Sequence, residues 1–369
     1  MITTRPAGKR IRVLVVEDSG FMREMIRQIL HADSQIEVIG FAADGLEAIG
    51  AVAALAPDVV TMDVHMPHAD GLAAVARIMA ERPTPILMLS GATREGSAAA
   101  IRALELGAVD FIAKPAGRID LGLDGLRETM IRKVKMAARV RPIRTVAISR
   151  GAPAPARPGE IVWGVPTPSP TEACVVVAAS TGGPAALLTL VPALPGGLPA
   201  SVLVIQHMPA PYTARLAREL GARGALPVKE AEEGDRLTAG TVYVAPGSCD
   251  LSVSRHGEIR LRPAARDTDV APSANLAMAS VARYAGTLAV GVVLTGMGAD
   301  GALGAEAIAR AGGRVLAQDE TSSVIYGMPR AAVETGCVDA VLPLARLPET
   351  LVACLQDPLA YRAWVGCAS

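Results

Sequence analysis

The sequence predicts an α/β protein of two domains, each built on a mainly parallel, doubly wound sheet. Short β-branched runs alternate with longer amphipathic segments in both halves of the chain, which is the pattern of successive βα units. The length of 369 residues exceeds the roughly 250 to 300 at which a single core stops growing. A stretch rich in proline, alanine and glycine separates the two regions over residues 141–171, and we interpret it as a linker.

The first domain is predicted over residues 11–140 as a flavodoxin-like (βα)5 fold. Its five predicted strands are the runs RVLVV, EVIGFA, DVVTM, PILML and VDFIA. A helical pattern follows each strand: from about Ser19, in DGLEAIGAVAAL, in GLAAVARIMA, over residues 95–106 and over residues 123–140. Strands that alternate with helices in this way form a parallel sheet.

The second domain is predicted over residues 172–356 as a doubly wound, mainly parallel α/β domain. Its apolar runs are CVVVAA, SVLVIQ, TVYVA, TLAVGVVL, RVLAQ and CVDAVL. Continuous apolar runs of this kind are typical of parallel strands that are buried on both faces. The segment LSVSRHGEIRLR interrupts the alternation and predicts an antiparallel hairpin.

Composition limits the partners of the chain. Lys plus Arg and Asp plus Glu both total 36, so the formal net charge is zero, and we expect no nucleic-acid partner. The five cysteines are scattered and favour neither disulfides nor zinc. There is no signal-peptide core and no run of about 18 apolar residues. We therefore expect a cytoplasmic protein without direct membrane insertion.

Polar residues follow the first, third, fourth and fifth strands of the first domain. Glu17, Asp18 and Asp63 come at the ends of the first and third strands, which a flavodoxin-like strand order places side by side. Three anions this close would repel one another unless a hard cation such as Mg²⁺ joined them. The hydroxyl of Ser90 and the ammonium of Lys114 end the fourth and fifth strands and are suited to hold phosphoryl oxygens.

Strand ends of the second domain carry the residue types of a nucleophilic hydrolase. Ser180 follows CVVVAA and precedes two glycines, His207 follows SVLVIQ, and Asp300 follows TLAVGVVL in the loop TGMGADG. We predict them to be the nucleophile, the general base and the acid that orients the base. Backbone amides near Thr181 and Met297 are the candidate oxyanion donors, and the sequence does not decide between them.

An alternative for the second domain is a non-catalytic module that binds a dinucleotide or a receptor. GMGADG over residues 296–301 matches G-x-G-x-x-G after a strand, and Asp319 lies about 20 residues further on. However, Asp300 would place a carboxylate where a pyrophosphate should lie. Each candidate residue, taken alone, also has a structural explanation as a helix cap or loop residue.

The segments VVEDS, DVVTMDVHMPHADGL, LMLSGAT and ALELGAVDFIAKP resemble the response-regulator receiver family over about residues 11–120. The resemblance implies that Asp63 accepts a phosphoryl group from a histidine kinase. It implies that Lys114 contacts this group and that Ser90 moves with Phe111 as a switch. The Mg²⁺ ligands that it implies are Glu17, Asp18 and Asp63.

The segments VVVAASTGGPAAL, VIQHMP, VKEAEEGDRL, VYVAPG, VVLTGMGADGA and AQDETSSVIYGMPRAAVE resemble the chemotaxis protein-glutamate methylesterases over about residues 173–343. The resemblance implies hydrolysis of glutamate methyl esters on chemoreceptors with release of methanol, deamidation of receptor glutamines, and activation by phosphorylation. The family triad falls on Ser180, His207 and Asp300, and the catalytic domain needs no cofactor. Two departures are Ala178, where the family often has glycine, and Asn275, where it often has aspartate.

Overall fold

The computed structural model describes residues 9–66, 71–91, 93–114, 123–140, 173–264 and 271–356. The chain divides into two compact units, Met1–Pro155 and Ala156–Ser369. The predicted linker over residues 141–171 lies outside the described residues.

The first unit contains a five-stranded parallel sheet in the order β2-β1-β3-β4-β5. Its strands are β1 (Ile11–Val16), β2 (Ile36–Ala42), β3 (Val59–Asp63), β4 (Ile86–Gly91) and β5 (Asp110–Lys114). This is the flavodoxin-like order, in which the carboxyl ends of β1 and β3 are adjacent at the point where strand order reverses. The predicted (βα)5 fold is confirmed.

One helix follows each strand of the first unit. The helices are α1 (Gly20–His31), α2 (Gly45–Leu55), α3 (Gly71–Glu81), α4 (Arg94–Glu105) and α5 (Leu123–Ala137). Local side chains set several helix starts: the Ser19 hydroxyl accepts from the Met22 amide at 3.4 Å, and Asp44 accepts from the Leu46 and Glu47 amides at 2.9 Å each. Such N-caps satisfy amides that have no partner within the helix.

The second unit contains a seven-stranded sheet in the order β14-β13-β12-β6-β7-β9-β8, and all its strand pairs are parallel. Its strands are β6 (Cys174–Ala179), β7 (Ser201–Gln206), β8 (Val228–Glu230), β9 (Val242–Val244), β12 (Ala289–Val293), β13 (Arg314–Gln318) and β14 (Ala340–Leu342). The predicted hairpin forms a separate antiparallel pair, β10 (Cys249–Val253) and β11 (Ile259–Pro263). The predicted fold class is therefore confirmed for this unit as well.

The helices of the second unit are α6 (Gly183–Leu190), α7 (Ala210–Gly221), α8 (Ala274–Ala285), α9 (Ala302–Arg310), α10 (Met328–Glu334) and α11 (Leu347–Gln356). Every residue of β6, β7 and β12 is buried, as expected for central strands of a parallel sheet covered on both faces. Sequence patterning missed β8, because its three residues VKE contain no apolar run. Among the described residues, none of the helices combines the length and the apolar character that a membrane span requires.

The position of β6 determines where the polar residues of this unit meet. β6 lies between β7 and β12, and Ala179 is in register with Gln206. The residues that follow β6, β7 and β12 therefore come together at one edge of the sheet, because parallel strands present their carboxyl ends on the same side.

Candidate active site and phosphoacceptor site

The carboxyl edge of the first sheet carries an acidic cluster. One ligand oxygen from each of Glu17, Asp18 and Asp63 lies within 4.8 Å of the others. The Lys114 ammonium contacts two of these side chains, at 2.9 Å from Glu17 Oε2 and 2.8 Å from Asp63 Oδ2. The structure thus brings together the four charged residues that the strand ends predict.

Charge in this cluster is not balanced by its own residues. Burial raises the pKa of Glu17, and the Lys114 ammonium offsets this only in part, so the net pKa lies above its ordinary value. Burial lowers the pKa of Lys114, but Asp63 and Glu17 together outweigh burial and raise it. The Lys114 ammonium interacts with two carboxylates, whereas Glu17 and Asp63 share this one ammonium.

The donor set of the acidic cluster fits a hard divalent cation. When ionised, the three carboxylates of the cluster and the one ammonium leave two negative charges. Carboxylate oxygens are the ligands that Mg²⁺ prefers. The residues present are therefore suited to hold this ion.

The two predicted switch residues are both buried. The Ser90 hydroxyl donates to the Gly96 carbonyl at 2.8 Å. Phe111 is 4% exposed, and the Lys133 ammonium lies 5.4 Å from the centre of its ring. Their movement as a switch stays a prediction.

In the second unit, Ser180 directly follows β6 in a turn that is held from both sides. Its amide donates to the Thr295 carbonyl at 3.0 Å, and its own carbonyl accepts from the Gly183 amide at 2.8 Å. Gly182 has a φ of 77°, a left-handed conformation that side chains rarely adopt. The turn thus places a partly buried serine at the start of α6.

His207 directly follows β7 and contacts Asp300. The His207 amide donates to the Ala179 carbonyl at 3.0 Å, which fixes it opposite the residue before the serine. Its ring Nε2 lies 2.9 Å from Asp300 Oδ2. The structure therefore gathers all three predicted residues at one sheet edge, with a direct contact between the histidine and the aspartate.

Asp300 accepts hydrogen bonds from the first turn of α8. The Ala274 amide donates to Oδ2 at 2.6 Å and the Asn275 amide donates to Oδ1 at 2.9 Å. Burial raises the pKa of Asp300, but the hydrogen bonds from His207 and from these two amides outweigh it, so the net pKa lies below its ordinary value. Asp300 is thus an ionised acceptor at a helix start, where the helix dipole favours a negative charge.

Asn275 makes the reverse connection. Its Oδ1 accepts from the amides of Gly301 and Gly304 at 2.9 Å each. Asp300, two residues before α9, therefore accepts from amides at the start of α8, and Asn275 of α8 accepts from amides at the start of α9. In a G-x-G-x-x-G site, the free amides at the helix start would hold a pyrophosphate, whereas here Asn275 occupies two of them, which disfavours the dinucleotide alternative.

Three residues of this site were not among the sequence candidates for chemistry. Gln206 donates to the Ser180 carbonyl at 2.9 Å, and Thr295 Oγ1 donates to the Thr181 carbonyl at 2.9 Å. Both follow or end apolar strands, so the strand-end rule that found Ser180 also applies to them. Asn275 was noted only as a departure from a family pattern, since its role depends on two helices that are distant in sequence.

The fold and the two sites define the class of the protein: a receiver-type unit followed by a doubly wound α/β unit that carries serine, histidine and aspartate at one sheet edge. A family model described as CheB methylesterase matches residues 175–351. A model described as response regulator receiver domain matches residues 13–122.

Similar proteins match almost the whole chain. The protein-glutamate methylesterase/protein-glutamine glutaminase of Pyrococcus abyssi is 44% identical, with 95% of this chain and 95% of that protein covered. The protein of the same name from Symbiobacterium thermophilum is 43% identical, with 94% and 98% covered. Among solved structures, the crystal structure of the Thermotoga maritima CheB methylesterase catalytic domain has 38% sequence identity to this chain and a TM-score of 0.47. The match spans 49% of this chain and 97% of that one. This chain belongs to the protein-glutamate methylesterase family, with a receiver domain in front of a CheB methylesterase domain.

Proposed function

We propose that this protein is a phosphorylation-activated protein-glutamate methylesterase. Its receiver would span residues 11–140 and its catalytic domain residues 172–356. It would hydrolyse glutamate methyl esters on chemoreceptors and convert receptor glutamines to glutamate. The observation that carries the proposal is the 2.9 Å contact between His207 Nε2 and Asp300 Oδ2 at the sheet edge where Ser180 follows β6, in a chain whose relatives are named for this activity.

The proposed reaction is acyl transfer through a serine ester. Ser180 Oγ attacks the ester carbonyl carbon while His207 takes the hydroxyl proton. The tetrahedral intermediate collapses, the C–O bond to the methoxy group breaks, and His207 returns the proton so that methanol leaves. Each backbone amide that stabilises the oxyanion contributes about 3 to 4 kcal/mol.

Hydrolysis of the acyl-enzyme completes the cycle. His207 removes a proton from water as the water oxygen attacks the acyl carbon, and the bond to Ser180 Oγ then breaks. His207 returns this proton to Ser180, and the released glutamic acid side chain loses its remaining proton to solvent. A glutamine side chain follows the same steps, with ammonia as the leaving group instead of methanol.

The roles of the two ring nitrogens follow from the contact with Asp300. Nε2 faces the carboxylate, so Nδ1 is the nitrogen assigned to the serine hydroxyl. Asp300, whose lowered pKa keeps it ionised, holds the ring and stabilises the imidazolium that forms during attack.

The first unit would supply the control. Asp63 would accept the phosphoryl group from a histidine kinase. Glu17, Asp18 and Asp63 would hold Mg²⁺, which neutralises developing charge in phosphoryl transfer when it is bound. Lys114, at 2.8 Å from Asp63, would contact the phosphoryl oxygens.

The test is release of methanol from a methylated chemoreceptor, measured with and without acetyl phosphate. We expect acetyl phosphate to raise the rate of the wild-type protein. Ser180→Ala should lower methanol release by about 10⁴-fold or more, because the remaining residues lack a nucleophile. Phosphorylation of Asp63 should persist in this variant.

Asp63→Ala provides the matched control for the first unit. It should retain the basal rate of methanol release and lose the response to acetyl phosphate. Turnover by Ser180→Ala close to the wild-type rate would contradict the assignment of the nucleophile. An unchanged response in Asp63→Ala would contradict the assignment of the phosphoacceptor.

A further inference from the structure

Gln206 is a buried polar residue that touches the backbone of two proposed catalytic residues. It is the last residue of β7 and is 2% exposed. Its Nε2 donates to the Ser180 carbonyl at 2.9 Å and to the His207 carbonyl at 3.1 Å. A carboxamide nitrogen carries two protons, so one side chain can make both bonds.

The other end of the same amide has no such partner. Gln206 Oε1 is fully buried and accepts no hydrogen bond from the described residues. It faces Gly183, where a Cβ would stand only 2.0 Å from Oε1. An unsatisfied buried acceptor costs about 1 to 3 kcal/mol, so an apolar side chain of similar size would avoid a penalty that glutamine incurs.

A residue that breaks a local rule of stability is expected where function requires it. Gln206 Oε1 breaks the rule that buried polar atoms form hydrogen bonds. Nε2 of the same side chain donates two hydrogen bonds in return. These bonds tie the turn that carries Ser180 to the strand end that carries His207. Gly183 leaves the space that the amide needs.

We propose that Gln206 is a positioning residue that fixes the separation of Ser180 and His207 through their backbone carbonyls. This inference rests on the proposed function, because it assigns a purpose to the distance between a nucleophile and its base. Misplacement of reacting groups by about 1 Å can lower a rate by about 10²-fold. Substrate binding should be affected much less than turnover.

The test uses the full chain and the methanol-release assay, with kcat, KM and melting temperature measured for each variant. Gln206→Leu removes both donors and the unsatisfied acceptor. We expect kcat to fall by about 10- to 100-fold, KM to change by less than about threefold and the melting temperature to be retained. A kcat within about twofold of wild type would overturn the proposal.

Gln206→Glu supplies a readout that packing alone would not move. The ionised carboxylate has no proton to donate, whereas the protonated acid can donate one O–H to the Ser180 carbonyl. Burial raises the pKa of such a carboxyl group, so its rate relative to wild type should rise as the pH falls from about 8 to about 6. If Gln206→Leu does not fold, this ratio decides, and a ratio independent of pH would overturn the proposal.

Ser280→Ala is a matched control in the same unit. Ser280 is fully buried, and its hydroxyl accepts from the Val253 amide at 2.9 Å and donates to the Ala277 carbonyl at 2.7 Å. Loss of these bonds should lower the melting temperature and leave kcat within about twofold. Ser180→Ala in the same assay separates the two hypotheses: if it remains active, the proposed function fails, and if only the Gln206 variants remain active, the inference fails.

Discussion

The acidic cluster of the first unit and the Asp300 site of the second differ in how their carboxylates are compensated. In the first, three carboxylates lie close together and one ammonium contacts two of them, and the pKa of Glu17 is raised. In the second, one carboxylate receives hydrogen bonds from His207, Ala274 and Asn275, and its pKa is lowered.

The first site therefore has more negative charge than its own ammonium neutralises, whereas the second has several hydrogen-bond donors for one carboxylate. Excess negative charge in the first site favours binding of a divalent cation, and a phosphoryl group would change that charge again. Excess donors hold Asp300 ionised and in one orientation, which is the property that a group supporting a histidine base requires. This contrast matches the two proposed roles, which are regulation for the first site and catalysis for the second.

Asp300→Asn should have the largest effect, because it removes the charge and disturbs the donors around it. Oδ2 accepts from both His207 and Ala274, so an amide nitrogen in that place would face two donors. We expect kcat to fall by about 10⁴-fold, since the imidazole loses both its orientation and the stabilisation of its charged form. The measurement is kcat for methanol release.

Circular dichroism should accompany this measurement, because some loss of stability is expected as well. A folded Asp300→Asn protein with a kcat within about tenfold of wild type would show that Asp300 caps α8 without supporting His207. In that case the contrast between the two sites would concern structure only.

Removal of divalent cations should have the next largest effect, and on one site alone. With EDTA, we expect acetyl phosphate to lose its stimulation while basal methanol release stays within about twofold. The reason is that phosphoryl transfer to Asp63 would need the Mg²⁺ that Glu17, Asp18 and Asp63 are proposed to hold. The measurement is the ratio of rates with and without acetyl phosphate.

Addition of excess Mg²⁺ should restore the stimulation, which controls for damage by the chelator. If EDTA instead abolishes basal turnover, the second unit depends on a metal and the contrast drawn from its protein donors is wrong. Stimulation that survives EDTA would contradict the assignment of the acidic cluster as the cation site.

The residues that follow buried strands could be predicted from sequence, because both position and chemistry are local there. β-branched runs locate the strands, and the carboxyl ends of parallel strands share one edge. This rule was sufficient to place Asp63 and Lys114 together, and to place Ser180, His207 and Asp300 at one edge. The flavodoxin-like order that was expected from the five βα units is the order that the first sheet shows.

The partners that hold these residues could not be predicted in the same way. Asn275 and Asp300 are 25 positions apart, and nothing in either local pattern indicates that each caps the helix of the other. Gln206 reads as the end of an apolar strand, and only the packing of β6 against β7 shows that its amide reaches Ser180. β8 was missed because short, half-buried strands have no periodicity to detect.

Asn275→Ala should have the smallest effect, because it acts on Asp300 only through backbone. The substitution leaves the Gly301 and Gly304 amides without the Oδ1 acceptor that they share. The Gly301 amide keeps its 3.2 Å hydrogen bond to Asp300 Oδ1, so about one net hydrogen bond is lost, and about 1 kcal/mol corresponds to about fivefold in kcat. Asn275→Asp is the matched control, since a carboxylate oxygen accepts from the same amides, and it should retain kcat within about twofold. The measurements are kcat and melting temperature: a lowered melting temperature with unchanged kcat in Asn275→Ala would show that the reciprocal caps stabilise the helices without positioning Asp300.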